Sequence, residues 1–258
     1  MSSQTNAYPT IKAFLLCFFV LLSVLLPFNS YSANDWQELS PGIEYQDLLG
    51  GILNPWSHVH VFRVDLQKNK LELINARSLS LKNASADQFA EHGKALISIN
   101  GGFFDHDFRP LGLRVNNKKL ENPLKPISWW GVFYVKGNTP FITSQRQFDY
   151  DNNIDFAVQS GPRLLIKGKI PSLKVGTADR SALGITADGK VIIIVTNNSA
   201  MSTKELAHLM KAPPLSCVDA INLDGGSSSQ LFAHVNSFQL NVHGFSNVSD
   251  AIIVKSKE

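Results

Sequence analysis

Short apolar segments separated by turn residues recur along this chain, and they constrain it to a fold built mainly from β-strands. Residues 58–66 alternate apolar and polar side chains, as a strand with one solvent-facing side does. Residues 70–76 have the same character and are predicted to be its hairpin partner. Further strands are predicted at residues 95–99, 130–135, 156–160, 163–166, 181–186 and 191–196. Residues 187–190 contain an Asp-Gly pair and predict a tight hairpin turn between the last two.

Two helices are predicted between these strands. Residues 87–92 follow Ser85, which can cap a helix, and Gly93 is expected to stop it. Residues 202–210 begin at a capping Ser202 and carry an apolar face. The expected fold is therefore α+β, a single domain with a large, mainly antiparallel or mixed β-sheet core and few helices.

The N-terminal residues have the layout of a secretory signal. Lys12 precedes an uncharged apolar stretch at residues 13–28, which is short for a membrane span of roughly 20 residues. Small residues follow, and we predict cleavage after Ser32, with an uncleaved membrane anchor as the alternative. The sequence thus predicts a signal peptide at residues 1–32 and an exported domain at residues 33–258, periplasmic or secreted, with no stable membrane span after cleavage.

Charge and cysteine content argue against a nucleic-acid-binding protein and against a protein stabilised by internal disulfides. The 24 basic and 21 acidic residues nearly cancel and are dispersed, so no nucleic-acid partner is expected. Cys17 leaves with the signal, and the single remaining Cys217 can make no internal disulfide. Cys217 lies in an apolar approach to a strand, which predicts an inert packed thiol. The oligomeric state stays open.

Two loops of similar composition follow apolar strands and are the candidates for an active site. The first is Asn100-Gly101-Gly102-Phe103-Phe104-Asp105, and the second is Asp224-Gly225-Gly226-Ser227-Ser228. Glycines allow a ligand to approach the backbone, and the hydroxyls supply hydrogen-bond donors and acceptors. Asp224 adds an anionic group that could act as a base, a nucleophile or a sugar ligand.

Five motifs, in this order, resemble those of the phosphodiester glycosidase family. The resemblance covers roughly residues 88–254. One departure is at Ser227, where many members have a third glycine. The motifs are Asn100-Gly101-Gly102-Phe103-Phe104, Pro110-Leu111-Gly112-Leu113, Ser160-Gly161-Pro162, Arg180-Ser181-Ala182-Leu183-Gly184 and Asn222-Leu223-Asp224-Gly225-Gly226-Ser227-Ser228.

This resemblance implies a hydrolase that cleaves the bond between a sugar's anomeric carbon and a phosphodiester, with a sugar-phosphate or glycan substrate. We expect such a substrate, possibly of the N-acetylglucosamine type, in envelope polysaccharide or a related glycoconjugate. The hypothesis makes Asp224 the nucleophile or base, Arg180 the clamp for phosphate or sugar, and Asp105 the reserve carboxylate. The residues expected to bind substrate are Asn100, Gly101, Gly102, Arg163, Gly225, Gly226, Ser227 and Ser228.

Other interpretations compete with this one. A non-catalytic carbohydrate-binding or exopolysaccharide-assembly protein would keep the pocket for recognition alone. A serine esterase would use Ser227, Ser228 or Ser229, although no Gly-x-Ser-x-Gly motif surrounds them. Asp224 could merely cap its own turn, and Arg180 could pair with Asp179.

No cofactor is predicted, and a divalent cation is possible but unsupported by the sequence. His58 and His60 would share one strand face as two metal ligands, but no third ligand can be identified from the sequence, so stacked or solvent-facing histidines are favoured. Trp129 and Trp130 are adjacent on a predicted strand and must point to opposite faces, so one of them could be exposed for sugar stacking.

Overall fold

The computed structural model describes residues 36–49 and 55–257, which contain nineteen strands and two α-helices. The predicted signal peptide lies outside the described residues. The strands are β1 Gln37–Ser40, β2 Ile43–Asp47, β3 His58–Val64, β4 Asn69–Asn75, β5 Ile97–Asn100, β6 Arg114–Asn116, β7 Lys119–Asn122, β8 Gly131–Lys136, β9 Thr139–Ser144, β10 Ile154–Ser160, β11 Arg163–Leu165, β12 Thr177–Ala178, β13 Ser181–Thr186, β14 Val191–Asn197, β15 Met201–Ser202, β16 Cys217–Asn222, β17 Leu231–Val235, β18 Phe238–Val242 and β19 Asp250–Ser256. The helices are α1 Ala86–Gly93 and α2 Thr203–Lys211, with short 3-10 helices at Ala76–Leu79 and Gly226–Ser228.

These strands form several antiparallel sheets rather than one large sheet. The seven-stranded sheet has the order β1-β2-β3-β14-β13-β16-β11. Two five-stranded sheets have the orders β7-β6-β10-β8-β9 and β18-β17-β5-β19-β4, and β12 pairs with β15. Every pairing between the described strands is antiparallel. The expected α+β class with few helices is confirmed.

The main core lies where the three large sheets face one another. Each sheet contributes fully or nearly fully buried side chains, for example Phe62 from the seven-stranded sheet, Phe133 from the second and Ile252 from the third. Helix α2 covers the other face of the seven-stranded sheet through Leu206 and Met210. Helix α1 buries Phe89 against the outer face of the sheet that contains β19. The helices thus cover the sheet faces that the main core leaves open.

The predicted hairpin between residues 58–66 and 70–76 is wrong. Strand β3 pairs with β2 and β14, whereas β4 pairs with β19. Strand β3 is buried on both faces, so it occupies an interior position in its sheet and has no solvent-facing side. Alternation in the sequence cannot distinguish the two cases here, because His60 counts as polar yet is buried.

The predicted hairpin turn, helix caps and packed thiol are confirmed, whereas the prediction that Gly93 stops α1 is wrong. Gly93 is the last residue of the helix, where a Cβ would clash with Ile74, and Lys94 follows as the left-handed cap. Strands β13 and β14 form the predicted hairpin, and Gly189 has φ +79° in its turn. Ser85 and Ser202 form capping boxes at the starts of α1 and α2. Cys217 is a buried free thiol, and burial raises its pKa to about 12. Neither helix in residues 36–49 and 55–257 is long and apolar enough to cross a membrane.

Candidate active site

The two glycine-rich loops meet where strands of two different sheets end. Strand β5 ends at Asn100, and its Nδ2 donates a hydrogen bond of 2.8 Å to the backbone oxygen of Asp224. The Asp224 amide donates in return to the oxygen of Gly101, at 3.3 Å. Asn100 Oδ1 accepts from Ser181 Oγ at 2.7 Å and from the Gln230 amide at 3.2 Å. The fully buried Asn100 side chain therefore ties together four segments of the chain.

A buried ion pair lies directly beneath the first loop and leaves no room for side chains at its two glycines. Arg114 Nε donates to Asp250 Oδ2 at 3.0 Å, and both side chains are almost completely buried. A Cβ on Gly101 would lie 1.7 Å from Asp250 Oδ1, and one on Gly102 would lie 3.0 Å from Arg114 Nη2. The Gly101 amide donates to the backbone oxygen of Asp250. These glycines thus serve close packing beneath the loop, and the Gly101 amide is engaged within the protein.

The Asp224 side chain lies partly buried beside the second loop. Its Oδ1 accepts from the Gly225 amide at 3.0 Å, and the Ser228 hydroxyl also hydrogen-bonds the carboxylate. Burial raises the pKa of Asp224, and the nearby charge of Asp250 adds to the effect, while the two hydrogen bonds oppose it. The carboxylate therefore holds its proton more tightly than a solvent-exposed aspartate does.

The Arg180 guanidinium lies on the other side of Gly225. Its Nε donates to the Met201 oxygen at 2.8 Å and its Nη2 to the Gly176 oxygen at 2.6 Å. A Cβ on Gly225 would lie 3.9 Å from Nη1. Within the described residues no acidic side chain forms an ion pair with Arg180, and partial burial lowers its pKa. Arg180 is thus a positioned cation whose charge no carboxylate neutralises.

The expected pair between Arg180 and Asp179 is not formed. Asp179 Oδ1 instead accepts from Thr196 Oγ1 and the Ser199 amide, and its backbone oxygen accepts from the Gly226 amide at 2.8 Å. Asp179 therefore fixes the second loop on the edge of the seven-stranded sheet.

A cavity of about 470 Å³ opens beside Arg180, and its wall is mainly apolar. Trp129 is 56% exposed at this cavity, whereas Trp130 is 4% exposed and stacks on Phe103. One exposed ring is therefore present, but the predicted placement on opposite strand faces is wrong, because both residues precede β8 and their rings meet edge to face with centroids 5.7 Å apart. Val175, also in the wall, is 97% exposed. The lining residues are Phe103, Trp129, Gly161, Pro162, Ser172, Leu173, Lys174, Val175, Gly176, Ala178, Arg180, Thr203, Asn222, Gly225 and Gly226. The Asp224 carboxylate is not part of this wall; it flanks the cavity behind Gly225.

Asp105 and Arg163 lie apart from this arrangement. Asp105 Oδ1 accepts from the amides of Asp107 and Arg109, both at 2.9 Å, and the bond from Arg109 contributes most to lowering its pKa. Arg163 lies over Gly131, where burial lowers its pKa and the charge of Asp219 opposes that shift. Neither side chain lines the cavity beside Arg180.

The serines of the second loop have different environments. Ser227 is exposed and has a negative φ, so a side chain is accommodated where many family members have glycine. Ser228 and Ser229 are buried. In the described part of the chain no hydrogen bond joins these serines to a histidine, and the arrangement offers no general base for a serine nucleophile.

Sequence reasoning assigned no role to Asn222 or Asp250, and it considered Arg114 for the site without identifying its partner. Asn222 lines the cavity, and its buried Oδ1 has no hydrogen-bond partner among the described residues. Arg114 and Asp250 form the ion pair beneath the first loop. A charged residue in an otherwise apolar strand was a usable signal for Arg114, but Asp250 lies 136 positions away, and no local pattern connects the two.

Comparison with known proteins shows the family to which the chain belongs. A family model described as phosphodiester glycosidase matches residues 93–255, which include both glycine-rich loops. The protein YigE of Escherichia coli (strain K12), described as uncharacterized, is 27% identical over 188 residues, which are 67% of this chain and 73% of YigE.

Solved structures share the fold at low sequence identity. A hypothetical protein of Synechocystis superposes with a TM-score of 0.65 at 16% identity over 84% of this chain, which spans 62% of that protein's length. The auto-inhibited catalytic domain of zebrafish N-acetylglucosamine-1-phosphodiester alpha-N-acetylglucosaminidase, with its pro-peptide, gives 0.63 at 19% identity over 88% of this chain and 87% of that domain. A predicted exported protein of Burkholderia pseudomallei K96243 gives 0.54 at 13% identity, covering 77% and 74% of the two chains.

Proposed function

Because this chain belongs to the phosphodiester glycosidase family, we propose that it hydrolyses the bond between a sugar's anomeric carbon and a phosphodiester. One observation carries the proposal. Gly225 lies between a carboxylate of raised pKa and an arginine without an acidic partner in the described chain, since its amide bonds Asp224 and its Cα faces Arg180. The negatively charged leaving group requires a cation such as Arg180, and the reacting sugar carbon requires a carboxylate such as Asp224.

Arg180 binds the phosphodiester in this proposal. Its Nε and Nη2 are held by two backbone carbonyls, which leaves Nη1 directed toward Gly225. A fixed guanidinium loses little freedom when it binds an anion, and a partly buried one is screened less by water. Asn222 contributes to the wall of the same cavity, but its Oδ1 is buried, so it supports the wall and does not itself meet the sugar.

Asp224 acts on the sugar carbon as nucleophile or base. The bond between the anomeric carbon and the phosphate oxygen breaks, and its electron pair leaves with the phosphodiester. Because that leaving group is the conjugate base of a strong acid, little proton donation is needed. As a base, Asp224 takes a proton from the attacking water; as a nucleophile, it forms a glycosyl ester that water then hydrolyses. The raised pKa of Asp224 suits the role of a base that accepts a proton from water.

The remaining predicted residues divide into three groups. Asn100 and Gly101 position Asp224 from beneath through their hydrogen bonds, and Gly102 leaves room for the Arg114 side chain. Gly225, Gly226, Ser227 and Ser228 form the loop that faces the substrate. Asp105 and Arg163 stay as peripheral candidates, since their side chains are directed elsewhere.

We place this activity outside the cytoplasm, on envelope polysaccharide or a related glycoconjugate. The signal-like residues 1–32 support export. The name of the zebrafish relative, an N-acetylglucosamine-1-phosphodiester hydrolase, supports N-acetylglucosamine as the first sugar to test. The competing proposal, a carbohydrate-recognition protein without turnover, is favoured by the mainly apolar cavity, whose lining residues do not include Asp224.

The test is release of free sugar from uridine-diphospho-N-acetylglucosamine and from methyl-phospho-sugars by purified residues 33–258. Asp224→Asn is expected to lower the rate by about 10²–10⁴-fold, as loss of a general base does. Asp149→Asn, at an exposed position far along the chain, is the matched control and should retain full activity. Saturable binding without release by the wild-type protein across the panel would instead establish the recognition protein.

A further inference from the structure

A second cluster of polar side chains lies on strands β2 and β3, outside the residues matched by the family model. Asp47 ends β2 and pairs directly with His60 of β3. His58 is two residues before His60, so all three side chains project from the same face of the sheet. One ligand atom from each of the three lies within 4.8 Å of the others.

One carboxylate oxygen of Asp47 lies near a ring nitrogen of both histidines. Asp47 Oδ2 is 2.6 Å from His58 Nδ1 and 3.9 Å from His60 Nδ1. The other oxygen, Oδ1, accepts from the amides of Leu49 and Val59, both at 3.2 Å. The backbone thus fixes the carboxylate so that Oδ2 faces both imidazoles.

The hydrogen bonds of His58 direct one ring nitrogen toward the carboxylate. His58 Nε2 lies 3.0 Å from the Pro55 backbone oxygen, which can only accept, so Nε2 is the nitrogen that carries the ring hydrogen. Nδ1 lies 2.6 Å from Asp47 Oδ2. In this tautomer the Nδ1 lone pair and the carboxylate oxygen face each other, and both are atoms that bind a metal ion.

We propose that Asp47, His58 and His60 form a binding site for a divalent transition metal of the zinc class. Two imidazole nitrogens and one carboxylate oxygen are a common zinc ligand set. The N–H of His58 that donates to a backbone carbonyl is the usual outer contact of a metal-bound histidine. Tyr45, whose hydroxyl is 2.8 Å from His60 Nδ1, or a water completes four ligands.

The metal-bound form differs from the present one in the orientation of the rings. The two imidazoles are stacked with centroids 5.0 Å apart and planes 12° apart, so their nitrogen lone pairs lie in two nearly parallel planes. Rotation about the bond between Cβ and the ring directs both lone pairs to one point near Oδ2. Ligand atoms around a tetrahedral zinc are about 3.3 Å apart for bonds of about 2.0 Å, and the present separations bracket that value.

The proposed metal site lies in the same sheet as the candidate active site, and it would hold together strands that lead to Arg180. His60 pairs with Val195 of β14, and Val195 pairs with Ser181, the residue after Arg180. A metal bound only by the folded chain stabilises it in proportion to the logarithm of metal concentration. The proposed role is therefore structural and independent of the proposed hydrolysis.

The experiment titrates the tag-free, chelator-treated protein with Zn²⁺ by calorimetry, with Co²⁺ absorption as a second probe. We expect one Zn²⁺ per chain and visible Co²⁺ bands of a four-coordinate N/O site. His58→Ala and Asp47→Asn should each weaken Zn²⁺ binding by at least about tenfold. His92→Ala, which changes an exposed histidine at the end of α1, is the matched control and should bind as the wild type does.

Two results would overturn the proposal. One is wild-type protein that binds no stoichiometric Zn²⁺ and gives no four-coordinate Co²⁺ spectrum; this spectrum needs no variant and so does not depend on variant folding. The other is unchanged Zn²⁺ affinity in a folded His58→Ala protein. Either result would leave the hydrogen bond between His58 and Asp47 as a contact of the protein alone, without a metal ion.

Discussion

At the scale of single residues, Asp224 combines partial burial with a charge. Burial raises its pKa, so the folded protein binds the Asp224 proton more tightly than the unfolded chain does. Stability contributed by this group is complete below the ordinary carboxyl pKa of about 3.9 and falls as pH rises through the higher pKa of the folded state. Ionisation of Asp224, which the proposed chemistry requires, therefore lowers the stability of the folded protein.

This predicts opposite effects of Asp224→Asn on stability and on activity. Asparagine keeps an oxygen for the Gly225 amide but carries no charge, so the variant should unfold at a higher temperature than the wild type at pH 7. The difference should vanish near pH 3, where the wild-type carboxyl is protonated. Calorimetric melting at both pH values measures this, and a less stable variant at pH 7 would show that the carboxylate is needed for structure.

Arg180 is predicted to act through the geometry of its guanidinium as well as its charge. Arg180→Lys keeps the charge but cannot bond the Met201 and Gly176 oxygens while also directing a donor toward Gly225. We expect kcat/KM for a phosphodiester substrate to fall about 10–100-fold, equivalent to one charged hydrogen bond of roughly 1.5–3 kcal/mol.

Steady-state kinetics with Arg146→Lys as the control measure the effect. Arg146 is exposed on a different segment, and its variant should match the wild type. If Arg180→Lys retains wild-type kcat/KM, the phosphodiester binds elsewhere.

At the scale of secondary-structure elements, one side chain joins the strand ends that form the site. Asn100 contacts the backbone of Asp224, the hydroxyl of Ser181 and the amide of Gln230. Asn100→Ala leaves these buried groups without partners. We expect a loss of about 2–4 kcal/mol in unfolding free energy, because each unsatisfied buried group costs about 1–3 kcal/mol.

Urea denaturation measures this loss, with Asn247→Ala in an exposed loop as the control. The Asn100 variant should also lose activity out of proportion to its folded fraction, since Asp224 loses its tether. A midpoint equal to that of the control would mean that the loops are held by other contacts.

The same elements show what the sequence could predict. Capping boxes and the turn at Gly189 are local, so α1, α2 and the β13–β14 hairpin follow from a few adjacent residues. The partner of β4 is β19, some 180 residues later, and no local signal specifies it. The sequence predicts that the glycines at 101 and 102 let a ligand approach, but the close contact that the structure shows there is with a distant ion pair, which no local pattern specifies.

At the scale of the whole molecule, the described residues form one compact unit from Trp36 onward. The predicted processing site lies just before it. We expect the exported chain to begin at Ala33, because cleavage after Ser32 removes the apolar segment and leaves the first strand intact.

Intact mass measurement of the protein isolated from the periplasm or culture medium checks this boundary. Protein found only in the membrane fraction, with residues 1–32 attached, would establish the anchor instead of the signal.

The position of β19 has a consequence for the timing of folding. This strand lies between β5 and β4 in its sheet, and its first residue supplies the carboxylate beneath the Gly101 loop. A ribosome must therefore deliver residue 256 before that sheet can close or the two glycine-rich loops can reach their final positions. Until then the nascent chain lacks a central strand and stays open. An export channel that accepts only extended polypeptide would therefore receive this chain while it is still unfolded, because the topology delays folding until the last strand has been made.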